Sequence, residues 1–281
     1  MQVAPNKKTS SQTKEFILNS NSYYTKEANE HYMSPTWFKK FLKCEAEALA
    51  ELRGSWESDM DNQALLVGNY LHSYFESPES HQAFLDEHAD KVFRDKARTH
   101  RYKAFSLADT MIETLDYDKM FKELYVGDKE TIVTGQIDGV DWMGKLDCLN
   151  LDRGYFIDLK TTRKLDQKYW TKERRPVPFI YAYDYQLQMA VYRELVRQQY
   201  GVEVQPYIVA ITKEDYPDKA VISIPEYRLD DAMSRIHEYQ PHIEAVISGE
   251  EKPVACGTCD YCKDHKQLED IIDADELLED F

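Results

Sequence analysis

Asp147, Asp158 and Lys160 are the residues of this chain best spaced for chemistry. Asp158 and Lys160 stand two apart in Ile157-Asp158-Leu159-Lys160, which reads as a strand. Their side chains therefore leave one face, while Ile157 and Leu159 point the other way into a core. Asp147 lies on the preceding run, Gly144-Lys145-Leu146-Asp147, and the Asp152-Arg153-Gly154 stretch between the two runs is turn chemistry. With Asp152 and Arg153 as the loop, Asp147 falls directly opposite Asp158. Opposed side chains on a hairpin have Cβ atoms roughly 4.5–5.5 Å apart. Two carboxylates that close repel unless a cation lies between them. Oxygen ligands of this kind suit Mg²⁺ or Mn²⁺. A divalent ion with an ammonium beside it is what phosphodiester hydrolysis needs.

Two helices are expected to bring further groups to this hairpin. The segment from Asp61 to Phe75 has apolar residues at helical spacing, and Gly68 and His72 in Gly68-Asn69-Tyr70-Leu71-His72 fall one turn apart on one face. A small residue there lets a backbone or a substrate approach the histidine. Seen alone, such a histidine is ordinarily a half-buried helix residue. In Gln188-Met189-Ala190-Val191-Tyr192 the same spacing puts Gln188 and Tyr192 on one face of a helix over about 180–199. Seen alone, Tyr192 is ordinarily an amphipathic residue with its hydroxyl in water. A further helix starts at Ser34-Pro35, an N-cap serine followed by proline, and runs to about Leu52. Residues 80–124 read as more helices. Strands are expected at about 129–136, 140–150, 154–161, 205–212 and 219–224, and a helix from about 228 to 248.

In this order, the histidine helix, Asp147, Asp158-Leu159-Lys160 and Gln188-x-x-x-Tyr192 resemble the RecB-like branch of the PD-(D/E)XK nuclease superfamily. Phe41-Leu42-Lys43-Cys44-Glu45-Ala46-Glu47-Ala48, Asp158-Leu159-Lys160-Thr161-Thr162, Pro206-Tyr207-Ile208-Val209-Ala210 and Cys259-Asp260-Tyr261-Cys262 are similar to phage exonucleases of the RecE type in particular. The resemblance runs from about Ser34 to about Lys266. It implies an α/β restriction-endonuclease-like core, a mixed central sheet flanked by helices, with a helical amino-terminal portion. It also implies that Asp147, Asp158, His72 and the Leu159 carbonyl bind one or two Mg²⁺ (or Mn²⁺), with Lys160 positioning or helping to deprotonate the attacking water. Gln188 and Tyr192 orient DNA or the groups around the metal. Glu130 is added as a metal-ligand candidate, although a glutamate there is ordinarily a surface residue. The expected activity is resection of linear duplex DNA, 5′ to 3′, feeding an annealing protein of the RecT type, in a ring-shaped homo-oligomer encoded by a phage or prophage. A single-strand or flap nuclease and a non-catalytic DNA-binding subunit are the alternatives. No GxxxxGK[ST] motor motif occurs.

Cys256-Gly257-Thr258-Cys259-Asp260-Tyr261-Cys262 places three thiols in seven residues, and Cys44 supplies a fourth. This resembles the iron–sulfur staple of AddB and of CRISPR-associated RecB-like nucleases, which implies a structural [4Fe–4S] cluster. The spacing is tighter at its last step, so Zn²⁺ remains the alternative occupant, with His265 able to substitute for Cys44. Cys148, one residue from Asp147, is expected as a buried apolar thiol.

The net charge is −16 over 281 residues, which looks wrong for a DNA-binding protein until its distribution is considered. From Lys263 to Phe281 eight acids stand against two lysines, so this tail alone carries −6. Lys91 to Lys103 holds six Lys/Arg, and Lys160 to Arg175 seven. Arg98 and Arg101 in the first run, and Arg163 and Lys164 in the second, are candidate phosphate contacts; most such runs are solvated faces. No apolar run nears the roughly 18 residues of a membrane span and no secretory signal is visible. A cytoplasmic protein with reduced cysteines is expected. The division expected is a flexible arm over 1–31 and one nuclease domain over 32–262, then an acidic tail over 263–281. Within the domain, 32–124 is helical, 125–225 is the catalytic core and 226–262 carries the last helix and the cysteines.

Overall fold

A computed structural model describes residues 16–57, 63–171, 174–268, 271, 273 and 274. The first residues of the expected arm, Asp61, Lys172, Glu173 and most acids of the tail lie outside the described residues.

The sheet follows from the turns. Asp138 and Gly139, both left-handed (φ 51° and 81°), close the two-residue hairpin between β1 (Asp128–Ile137) and β2 (Val140–Asn150). A Leu151–Gly154 turn then leads into β3 (Tyr155–Thr162), with Gly154 at φ 69°. β2 and β3 pair Cys148 with Ile157 and Asn150 with Tyr155, which is the register expected from the Asp152-Arg153 loop. Two short strands, β4 (Tyr169–Trp170) and β5 (Pro176–Val177), form a separate hairpin that sequence periodicity is too short to reveal. β6 (Gln205–Thr212) returns parallel to β3, and β7 (Lys219–Ser223) closes the order β1-β2-β3-β6-β7. The sheet is mixed, as the resemblance implies.

Alternation along β3 and β6 divides the molecule into three layers. Phe156, Ile208 and Ala210 face one core. It is filled by α2 (Pro35–Lys43), α3 (Glu45–Leu52), α9 (Phe179–Ala182), α10 (Tyr185–Tyr200) and α11 (Glu226–Ser248). Ile157, Leu159, Val209 and Ile211 face a second core with α4 (Gln63–Glu76), α7 (Lys103–Asp116) and α8 (Lys119–Leu124). Beside these lie α5 (Pro78–Glu87) and α6 (Ala89–Val92), and α12 (Asp260–Asp264) packs on α3. Gln240 of α11, buried, accepts from the Trp142 indole at 2.8 Å and donates to the Ile137 carbonyl, fastening α11 to the β1–β2 hairpin.

Three expectations need correction. The Ser34-capped helix does not run unbroken to Leu52, because Cys44 is extended (φ −161°) and separates α2 from α3. The helix over 180–199 is interrupted at Tyr183-Asp184, where Asp184 takes a left-handed φ of 58° held by Arg235 and by Gln186. Residues 16–31 are not a loose arm: α1 (Lys26–His31) is capped by Thr25, and Ala28 and Tyr23 are buried. Among the described residues no helix is long and apolar enough to cross a membrane.

Candidate active site

β2 and β3 separate one residue beyond the Cys148–Ile157 pair, and the site forms in that gap. The Leu159 N–H, which continued pairing would have given to a backbone carbonyl, donates instead to Asp147 Oδ2 at 2.6 Å. Asp147 also interrupts the alternation of its strand. Leu146 and Leu149 both face the α10 core, while Cys148 faces the α4 core. At that break the Asp147 carboxylate turns toward α4, where its Oδ1 lies 3.1 Å from His72 Nδ1. The Asp138-Gly139 turn fixes a register, Lys129 with Cys148 and Thr131 with Leu146, that leaves Glu130 across from Asp147. Glu130 holds a left-handed φ of 48°, rare for a residue with a Cβ. Its side chain is 13% exposed and paired with Lys145, so it is not the ordinary surface glutamate. One ligand atom from each of His72, Glu130 and Asp147 fits within 4.8 Å.

Asp158 stands beside this group, 2% exposed. Gln188 Nε2 donates to its Oδ1 at 3.0 Å and to the Tyr192 hydroxyl at 3.2 Å, so the Gln188-x-x-x-Tyr192 face of α10 orients Asp158 directly. Tyr192 is not in water: it is buried, seated on Gly144, where a Cβ would fall 2.6 Å from its ring. The Lys160 Nζ lies 2.6 Å from Asp158 Oδ2 but out of line, leaving this buried oxygen without a hydrogen bond.

The electrostatics are those of a crowded anionic pocket. Burial, reinforced by Asp147, outweighs the Lys160 ammonium and raises the Asp158 carboxyl above its ordinary value. Burial raises Glu130 in the same way, with Asp147 adding to it. Asp147 goes the other way: burial is overcome by His72 and Lys160, and its carboxyl is lowered. His72 is raised, the Asp147 carboxylate outweighing burial. Burial also opposes the Lys160 charge, yet Asp158 and Asp147 push this lysine up to about 12. Buried carboxylates this close, one oxygen lacking a partner, with an imidazole at hand, fit a hard divalent cation. Two neighbours that sequence reasoning passed over complete the walls. Tyr125 donates to the Asp147 carbonyl at 3.3 Å, and Tyr24 lies under the Lys145 ammonium at 4.6 Å. The Asp138-Gly139 turn is the signal that could have ranked Glu130 higher, since it sets Glu130 against Asp147.

Other expectations sort differently. Arg98 is paired with Asp86, and Arg101 sits 3.3 Å from Asp109 and donates to Tyr70 at 3.0 Å. Both guanidiniums are thus ion-paired within the helical layer. Lys164 lies 3.7 Å from Glu214, whereas Arg163 is exposed. Cys148 is buried as expected but not in wholly apolar surroundings, because the Lys129 ammonium lies 3.1 Å from its sulfur. Among the described residues nothing comes within 4 Å of the position a Gly68 Cβ would occupy.

The four remaining thiols converge. Cys44 Sγ lies 3.6 Å from Cys262 and 3.7 Å from Cys259, and Cys256 lies 3.9 Å from Cys262. The break that ends α2 thus points Cys44 at the carboxy-terminal motif. Thr258 hydrogen bonds hold the Cys256 thiol down at about 6, a thiolate at neutral pH. Burial raises Cys44. His265 does not replace Cys44: it stacks on Tyr261 at 4.2 Å, outside the cage.

Residues 34–265 match the family model described as "PDDEXK-like domain of unknown function (DUF3799)". The chain belongs to that family. A crystal structure of a "Putative exonuclease" from Eubacterium rectale is similar to this PDDEXK-like chain at 31% identity and a TM-score of 0.86, over 94% of this chain and 99% of that one. A crystal structure of SSO0001, 16% identical over 81% of this chain and 91% of that one, has a TM-score of 0.30 and carries no argument. No curated protein matches. The PDDEXK-like fold and this neighbour support a nuclease, with DNA as the implied substrate. PDDEXK nucleases use divalent metals.

Proposed function

We propose that this protein is a divalent-metal-dependent DNA exonuclease acting at the ends of linear duplex DNA. The observation that carries this reading is the convergence of Asp147, Asp158 and His72 in the gap between β2 and β3, with the Lys160 ammonium 2.6 Å from Asp158. Asp147, Asp158, His72, Glu130 and the Leu159 carbonyl would hold Mg²⁺ or Mn²⁺. Such an ion, when bound, lowers the pKa of the attacking water and stabilises charge on the scissile phosphate. Lys160 positions or helps to deprotonate that water and offsets phosphate charge. Gln188 and Tyr192 keep Asp158 aimed. Arg163 and Lys164 continue from β3 and steer the backbone of the DNA. The neighbour's description as an exonuclease supports end-directed cutting, and the resemblance to RecE-type enzymes supports 5′ to 3′ polarity, an oligomeric ring and a RecT-type annealing partner. In that setting the protein works in the cytoplasm of a host carrying its phage or prophage.

The cysteine cage is structural in this reading, and its dimensions favour one ion. Four thiolates about 2.3 Å from a tetrahedral Zn²⁺ stand about 3.8 Å from one another. The measured 3.6–3.9 Å agrees. A four-iron cluster gives each thiolate its own iron and spreads the sulfurs wider. These three separations support zinc over the [4Fe–4S] cluster drawn from the resemblance, and metal analysis with the presence or absence of absorbance near 400 nm distinguishes the two.

The test uses 5′-labelled linear duplex, single strand and closed circle, each with Mg²⁺ or EDTA. Product from linear duplex alone, and only with metal, is expected. Preference for the single strand favours a flap-type nuclease, and retained binding without cutting defeats catalysis.

A further inference from the structure

Lys160 also begins an aromatic row that leads away from the carboxylates. Its Nζ lies 5.0 Å from the Tyr185 ring centroid, and the Lys39 Nζ lies 5.6 Å from the same ring. Tyr185 meets Tyr183 at 5.9 Å, and Tyr183 meets Tyr169 edge-on at 5.3 Å. Tyr169 opens the β4–β5 hairpin and is half-buried, while Tyr183 is 50% exposed. The next residue, Trp170, 68% exposed, leaves the other face of the strand. Folding leaves the Tyr183 ring largely in water, although aromatics of this size are the residues a core most readily buries.

Cations accompany the row. The Arg163 charge acts on the Tyr183 phenol, and the Lys39 ammonium donates to the Tyr183 carbonyl at 3.3 Å. Arg163, Lys168, Arg174 and Arg175 are exposed, and among the described residues none of them is ion-paired, in contrast to Arg98 and Arg101. In a chain of net charge −16, free cations collected beside exposed rings mark a place for an anion that also offers flat faces. An unpaired DNA strand does both: each base presents a π-face, and each nucleotide a phosphate. A duplex keeps its bases stacked on one another and cannot use the rings.

We propose that Tyr183, with Tyr169 against its edge, forms a stacking platform for the unpaired bases of one DNA strand, whose backbone passes Lys160 to reach the carboxylates. This rests on the nuclease reading and deepens it. The form of substrate the site takes is a strand already melted for a few nucleotides, with the hairpin holding what has left the duplex.

Labelled oligo-dT and a blunt duplex closed at both ends, each titrated into full-length protein in EDTA, test the platform. Tyr183→Ala should weaken oligo-dT binding about tenfold, the loss of one stacked base. Duplex affinity should change less than twofold, and Tyr183→Phe, which keeps a ring, should recover most of the loss. Trp170→Ala, on the other face of the strand, should leave oligo-dT binding nearly unchanged. Tyr183 is exposed, and unchanged melting temperatures will show that the variants fold. Unchanged oligo-dT affinity of Tyr183→Ala overturns the platform, as does equal weakening on duplex. A change in sedimentation of the Tyr183→Ala protein also overturns it, assigning the face to a second copy. The nuclease reading is scored apart, by wild-type cutting of linear DNA with Mg²⁺. Cutting with ring-independent binding defeats the platform alone, and ring-dependent binding without cutting defeats the nuclease alone.

Discussion

The carboxylate site and the thiol cage are both clusters of potential metal ligands, yet they are assembled in opposite ways. His72, Glu130, Asp147 and Asp158 come from a helix and three strands, and their negative charge is partly offset by Lys145 and Lys160. The cage draws three ligands from one short motif and the fourth from the break between α2 and α3, with no described lysine or arginine paired to any of its four thiols. A pocket with its own countercharges survives without an ion and suits one that exchanges with each substrate. A cage lacking them ties the end of the chain to its beginning only while the ion is present.

The largest expected effect lies at the carboxylates. Asp158→Ala should lower turnover on the order of a thousandfold or more, since a metal supplies several kcal/mol of charge stabilisation and about 1.4 kcal/mol is tenfold. DNA affinity in EDTA should be little changed, while the melting temperature should fall by several degrees, because the buried Lys160 ammonium loses its paired carboxylate. Cutting by this variant within about tenfold of wild type would place the chemistry elsewhere.

The cage should show the reverse. Cys262→Ser is expected to remove the bound metal and lower the melting temperature by about 10 °C or more, several kcal/mol at about 2–4 °C each. Activity measured well below that transition should stay within severalfold of wild type. Brief EDTA treatment should abolish cutting until Mg²⁺ is restored while the cage keeps its zinc, followed by metal analysis of the same sample. Loss of zinc together with activity would erase the distinction between the two regions.

The difference in assembly also explains what could be read in advance. Local signals sufficed wherever turn chemistry set a register: Asp152-Arg153 fixed the pairing up to Cys148 and Ile157, next to Asp147 and Asp158, and the three clustered cysteines declared themselves. What escaped depends on partners distant in the chain. The Asp184 kink is held by Arg235, and Arg101 is claimed by Asp109 and Tyr70. Nothing local marks either pairing. The break at Cys44 likewise has no glycine or proline to announce it, because the reason for it lies more than 200 residues downstream at Cys259 and Cys262. Alternation failed at Asp147 because the strand changes faces there, which period-two reasoning cannot foresee.

A pair of glycines sharpens the comparison from within the carboxylate region. At Gly144 a Cβ would press 2.6 Å from the Tyr192 ring. Gly144→Ala should therefore disturb Gln188 and Asp158 through Tyr192 and slow turnover about tenfold, displacement of about 1 Å near reacting groups being costly. Gly68→Ala meets no described atom within 4 Å and should instead stabilise α4 by about 0.5–1 kcal/mol. Thermal melts and turnover of the two variants, measured together, check both. Equal behaviour would mean that Tyr192 is not a positioning residue.

The smallest effect expected is a pH dependence confined to the cage side. His242 of α11 bridges Glu45, at 2.9 Å from Nε2, and Glu251, at 2.8 Å from Nδ1, and Glu45 also accepts from the Val254 N–H on the way to Cys256. The Glu45 hydrogen bond, with Glu251 adding to it, raises the histidine above its ordinary value. A group raised on folding stabilises the folded chain fully below its unfolded pKa, near 6.5, and that contribution is lost as pH rises through the folded value. The bridge is solvent-exposed, so the effect is small. Between pH 6 and 8 the wild-type melting temperature should fall slightly more than that of His242→Gln, while the pH dependence of DNA cutting at low temperature is the same in both. Identical melting slopes would show that the bridge adds nothing to the fastening of the cage, leaving the thiols and their ion to hold the chain's two ends together unaided.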